Sequence, residues 1–382
     1  MPHRFSFQLV AALVVAGFVS CKAEPPPAAE FALFNGQDLT GWTVTECETE
    51  IKDGVLLLKA GEGWIRTDHQ YADFVLRWEC KNLKATDYDS GVHFRAELPK
   101  APAHWPKRFQ VNLKTGAEGN LTSVKEAAST GLYKPGAWNA FVLIVIGNTA
   151  ELQINGQVAW KTDKIDVPAG YIGLQSEVTL GGQFEFRNIL IQEYGKKLMF
   201  NGRNFEGWEG AGEPANKCWK VEEGLLVCTG EKGPWLRSLE QYGDFNFRVE
   251  YLLDAGGNSG VFVRVPEDGN HHGPKSGIEV QMLDDFHEKH AKLKPYQYSA
   301  GLYDFVGPEP RNGRPVGQWN TLEINCIGNH YRITQNGAVV IDTDETETPQ
   351  LKERLTKGYI GLQNHSSRVA MRNLRIGPAL PM

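Results

Sequence analysis

The sequence predicts an all-β protein made of two tandem antiparallel β-sandwiches of the jelly-roll kind, and three observations carry that expectation. Apolar and polar residues alternate with period two in Phe74–Cys80, Phe141–Ile146, Phe245–Tyr251 and Thr321–Ile327, the signature of half-buried strands. Asn155-Gly156 and Asn336-Gly337 each separate two alternating runs, as a type I′ hairpin turn requires. The chain also repeats itself: Phe34-Asn35-Gly36 through Gly41-Trp42 returns as Phe200-Asn201-Gly202 through Gly207-Trp208, so one fold unit occurs twice.

Further landmarks keep their order in both copies. Tyr71–Arg77 answers Tyr242–Arg248, Ser90–Arg95 answers Ser259–Arg264, and Gly131-Leu132-Tyr133 answers Gly301-Leu302-Tyr303. Trp138-Asn139 answers Trp319-Asn320, and Gly170–Gln175 answers Gly358–Gln363. The landmarks place a first domain at 31–195 and a second at 196–382, joined near Tyr194-Gly195-Lys196-Lys197. The spacing between copies grows along the chain. That growth is assigned to an insertion at Gly307–Pro315, whose Pro and Gly content suits a surface loop.

Residues 1–20 read as a signal segment: His3 and Arg4 precede the apolar run Leu9–Val19, which is too short to cross a bilayer and ends at Ser20-Cys21. The pattern resembles a bacterial lipoprotein signal, with cleavage before a lipidated Cys21 and residues 21–30, rich in Pro and Ala, as a tether. The implied location is the bacterial cell envelope, lipid-anchored at Cys21 or secreted. Of the later cysteines, Cys218 and Cys228 flank Glu222-Glu223-Gly224 and fit either a cross-strand disulfide or two buried thiols. The net charge of −6, with dispersed Lys and Arg, argues against a nucleic-acid partner.

The copies differ where proton chemistry is concerned. Strand Gly277–Leu283 places Glu279 and Gln281 on one face, whereas the matching strand of the first copy has Gln110. After Gly-Leu-Gln, the second copy reads Asn364-His365 and the first Ser176-Glu177. Only the second copy pairs a carboxylate with an imidazole at these positions, the two side chains suited to proton transfer near neutral pH. A divalent metal ion between Glu279 and His365 is left open. His271-His272 and His287/His290 have no strong metal spacing and read as loop histidines. Asp87-Tyr88-Asp89 is explained equally by calcium binding and by turn preference.

The opening Phe-Asn-Gly…Gly-Trp segment, Asn258-Ser259-Gly260 with Arg264, Glu279-Val280-Gln281, Trp319-Asn320, and Gly361–His365 with Arg372-Asn373 resemble the bacterial 3-keto-disaccharide hydrolases. That family is also described as 3-keto-glucoside 1,2-lyases and 3-keto-2-hydroxyglucal hydratases. The resemblance covers nearly all of both copies. It implies a concanavalin- or laminin-G-like jelly roll acting on a small sugar substrate. It also implies removal of the C2 proton, departure of the C1 aglycone and rehydration. On this reading Glu279 and His365 exchange protons and Arg264 contacts the enolate, while Asn258, Gln281, Asp284, Tyr303, Trp319 and Gln363 bind the sugar. The alternatives are a carbohydrate-binding protein without catalysis and a cell-surface structural module.

Overall fold

The computed structural model describes residues 30–382 apart from Gly182. The signal segment, Cys21 and most of the tether lie outside the described residues. Within them the protein is antiparallel β throughout, with only short 3-10 turns between strands. In the first copy an unusually long strand, Val55–Thr67, joins the two sheets of the sandwich. Leu56 and Leu57 pair with Phe184–Glu193 in one layer, while Gly63–Arg66 pair with Tyr171–Glu177 in the other. The second copy breaks that strand into Leu225–Cys228 and Leu236–Tyr242, because Gly230, Gly233 and Pro234 intervene. Its two sheets are therefore separate.

Each sandwich closes over its own apolar core. One core contains Trp42, Trp78, Phe94 and Phe141, and the other Trp219, Phe247, Ile324 and Leu374. The copies meet through charge and backbone contacts. Arg248 lies between Glu193 at 2.9 Å and Glu323 at 2.7 Å. Arg66 donates to the Gly337 carbonyl at 2.8 Å, and Thr321 donates to Asp68 at 3.0 Å. Arg248 thus sits between two carboxylates, whereas Arg66 is held by backbone carbonyls.

Two expectations need correction, and one alternative left open is resolved. Gly131-Leu132-Tyr133 is not the counterpart of Gly301-Leu302-Tyr303: Val111 bridges Leu121 where Val280 bridges Leu302. Thr122 N–H donates to Gln110 where Tyr303 N–H donates to Glu279, both at 2.9 Å. The copy offset is thus 280 − 111 = 169 before this point and 302 − 121 = 181 after it. Twelve residues enter between Leu283 and Gly301, not at Gly307–Pro315. A second insertion of seven residues follows Thr343, since Asn320 − Asn139 gives 181 and Gly358 − Gly170 gives 188. As for the cysteines, strand register places Trp219, not Cys218, opposite Cys228. Both thiols are buried and free, with Cys228 close to the Asn364 amide oxygen at 3.4 Å.

Candidate active site

The five-stranded sheet of the second copy holds Asn258–Val265 between Ile278–Leu283 and Gly358–Leu362. A cavity of about 270 Å³ opens on it, lined by Asn258, His271, His272, Glu279, Gln281, Tyr303, Gln363 and His365. Glu279 lies across Gly260, and a Cβ at that glycine would collide with the carboxylate. Only glycine lets the Glu279 carboxyl lie flat on the neighbouring strand.

Glu279 is 3 % exposed. Burial pushes its carboxyl up to about 8; the Gln363 amide, which hydrogen-bonds the charged form, opposes the shift, and nearby Asp304 adds to it. Its imidazole neighbour is His271, whose Nε2 lies 3.4 Å from Glu279 Oε2. His271 Nδ1 faces the Gly269 carbonyl at 3.1 Å and must therefore carry the hydrogen, which leaves Nε2 with its lone pair toward Glu279. Burial lowers the His271 pKa, and His272 and Arg354 lower it further. Near neutral pH the site therefore holds a protonated carboxyl beside an unprotonated imidazole. An acid and a base are available at once.

The rest of the cavity suits hydroxyl groups. Asn258 Oδ1 and Gln363 Oε1 are buried without a hydrogen-bond partner, so they are acceptors facing a space that a polyol can fill. Tyr303 OH accepts from Gln297 Nε2 at 3.0 Å, which frees its own hydrogen to donate. His272 pairs with Asp304 at 2.9 Å. His365 lies exposed at the rim.

Both insertions of the second copy brace this cavity. The first carries Tyr296 and Gln297, with Tyr296 edge-on to Tyr303 at 5.5 Å. The second leads into Arg354, whose guanidinium donates to the carbonyls of Gly277 at 3.1 Å and His271 at 3.4 Å. Lys275 N–H also donates to the Glu353 carbonyl at 2.7 Å. Phe262 completes the mount, its ring stacked on His271 at 4.5 Å.

Not every expected site residue is here. Arg264 is fully buried, donates to the Gly243 carbonyl at 2.8 Å and the Gly328 carbonyl, and pairs with Asp244 at 3.2 Å. Arg95 makes the same set of contacts in the first copy, so the residue closes loops of the fold and does not reach the cavity. Trp319 lies under Arg372 at 4.0 Å, as Trp138 lies under Arg187, and is absent from the cavity wall. Asp284 spends its carboxylate on the backbone N–H groups of Gly256 and Phe286. Conversely, His271 and His272 are wall residues and not free loop histidines. His290 is buried and bonds the Asp284 carbonyl at 2.8 Å. Asp89 is taken by Lys114 at 2.7 Å. Among the described residues no three His, Cys, Asp or Glu side chains converge as a metal set.

The chain matches the model of the 3-keto-alpha-glucoside-1,2-lyase-like domain over residues 31–192 and again over 195–377. A relative from Bacteroides thetaiotaomicron, a 3-keto-disaccharide hydrolase, is 28% identical over 221 residues, which is 47% of this chain and 76% of that protein. Two solved structures described as glycosyl hydrolases of Parabacteroides distasonis are also similar. One has 25% identity and a TM-score of 0.42, covering 48% of this chain and 98% of the other. The second has 24% identity and a TM-score of 0.42, covering 49% and 94%.

Proposed function

Because the chain belongs to the 3-keto-alpha-glucoside-1,2-lyase-like family through both of its copies, we propose that its second copy cleaves 3-keto-glucosides, 3-keto-disaccharides included, by elimination and rehydration. The observation that carries this reading is the contact between Glu279, held protonated, and the lone-pair face of His271, inside a cavity with unpaired amide acceptors. A ketone at C3 acidifies the C2 proton. His271 Nε2 takes that proton, the C1–O bond breaks, and Glu279 donates its proton to the departing oxygen.

The charge that develops on the C3 oxygen needs a donor, and the free hydrogen of Tyr303 OH supplies one. The resulting enone is electrophilic at C1. Water adds there as the Glu279 carboxylate takes its proton, and the His271 imidazolium returns a proton to C2. The product is 3-keto-glucose, and both residues end as they began. No oxocarbenium ion is formed, so two carboxylates straddling the scissile bond are not required. On the strength of the N-terminal apolar run before Cys21, we place the enzyme in the cell envelope.

The test is to incubate the protein with a chromogenic 3-keto-glucoside in D₂O, with and without EDTA. Aglycone release with deuterium at C2 of the sugar product is the expected result. Release with the C2 proton retained and no enone absorbance during turnover would rule out elimination, since the His271 imidazolium alone could hand the same proton back.

A further inference from the structure

We infer that the first copy holds a second sugar-binding site, one that retains a hydroxyl-binding face but lacks the acid–base pair. The register is fixed by shared contacts: Ser90 Oγ donates to the Gln175 carbonyl at 2.7 Å as Ser259 Oγ does to Gln363 at 2.8 Å. With the backbone pairings above, this superposes Asp89, Gln110, Asn112, Thr122, Gln175 and Glu177 on six of the eight wall residues, Asn258, Glu279, Gln281, Tyr303, Gln363 and His365. Every one of the six is a hydrogen-bonding side chain. A sheet face that had merely drifted after duplication would not keep all of them polar.

Ordinary solvation does not explain Gln175 and Glu177, which are 3 % and 8 % exposed, although the other four are partly exposed. Burying an amide and a carboxyl is unfavourable unless partners are supplied. Thr122 donates to Gln110 at 3.0 Å, Gln110 donates to Gln175, and Gln175 donates to Glu177 at 2.6 Å. Beside this chain, in register with Gln110, His93 is fully buried with neither ring nitrogen hydrogen-bonded. Gly91 lies under Gln110 as Gly260 lies under Glu279, so the cradle geometry is preserved.

The chemistry of the face selects the ligand. Asp89 and Glu177 disfavour an anion, and the three-ligand cluster a metal needs is missing among the described residues. Alternating donors and acceptors fit a neutral pyranose. The acid–base pair is missing opposite the sugar: Pro102-Ala103 occupy the positions of His271-His272 in a loop of equal length, and Gln110 has no proton to give as an acid. The choice of a 3-keto-glucoside as ligand rests on the function proposed above; the existence of the site does not.

The experiment uses the full chain carrying Glu279→Gln, so that ligand is not consumed, titrated calorimetrically with methyl 3-keto-α-glucoside and with methyl α-glucoside. Two binding events are expected, one of which disappears or weakens at least ~10-fold, the loss of one or two sugar hydrogen bonds, when Gln110→Leu or Gln175→Leu is added. Thermal melts confirm that these variants fold, and Gln110, being partly exposed, is the safer substitution. A single event unaffected by either variant, or no binding of either sugar, overturns the inference. Aglycone release by the unsubstituted chain, measured separately, distinguishes failure of the catalytic reading from failure of this one.

Discussion

Replacing Glu279 by Gln should make the protein more stable while disabling it, and the gain should depend on pH in a defined way. The carboxyl titrates near 4.5 when unfolded and is pushed up to about 8 by burial in the native cavity. A raised native value means that the folded state resists ionisation. Stability is fully present below 4.5, falls as pH rises, and stops falling above about 8. At pH 7 the native state keeps a proton that the unfolded chain has lost over 2.5 units, which at 1.36 kcal/mol per unit costs about 3 kcal/mol. Glutamine has the same shape and does not ionise. The first copy shows that it fits, since Gln110 occupies the equivalent place over Gly91. Melts of wild type and Glu279→Gln at pH 4.5, 6, 7 and 8 should show no difference at the acid end. At pH 7 the variant should melt roughly 6–12 °C higher, given about 2–4 °C per kcal/mol for a domain of this size. A difference that is constant or shrinks with pH would refute the assignment of a buried, protonated Glu279.

The wild-type rate should be bell-shaped in pH, falling on the acid side below the ordinary histidine range because burial depresses His271, and on the alkaline side near 8 as Glu279 loses its proton. Arg354→Ala should lower kcat by ~10-fold or more with the acid limb moved toward the ordinary imidazole value, and Arg354→Lys should restore little, because the fork that holds two carbonyls is lost; steady-state kinetics across pH check both. Tyr303→Phe should reduce kcat by about 10-fold or more with KM nearly unchanged if the hydroxyl acts only on the developing enolate. Arg264→Ala should destabilise by roughly 1–3 kcal/mol by unpairing the part-buried carbonyls of Gly243 and Gly328, with half-exposed Asp244 adding little, yet leave the activity of the folded fraction intact, as read by melts and active-site titration.

Architecture was legible because it rests on local pattern. Alternation with period two and the Asn-Gly turns specify strands and hairpins without tertiary help, and the repeated Phe-Asn-Gly…Gly-Trp opening shows two copies. Glu279 was legible because it faces one side of an alternating strand and is replaced in the other copy. His271 was not: its value comes from a loop pinned by Arg354, 83 residues away in sequence, and from stacking on Phe262. Arg264 carried a signal that pointed away from catalysis, since Arg95 stands at the same place in a copy that lacks the acid–base pair. The same holds for Trp319 and Trp138. The Gly-Leu-Tyr match misled because three common residues recur by chance eleven positions from the true register, and only the pairing of Leu121 with Val111 reveals it.

The central claim is that chemistry resides in the second copy, at Glu279 and His271. Aglycone release from a 3-keto-glucoside should be measured for full-length Glu279→Gln, His271→Ala and Glu177→Gln proteins side by side. The first two should each fall by ~10²-fold or more, the usual worth of a positioned acid or base, while Glu177→Gln stays within about twofold of wild type. Loss of activity in Glu177→Gln with retention in Glu279→Gln would contradict the account and move the reaction to the first copy.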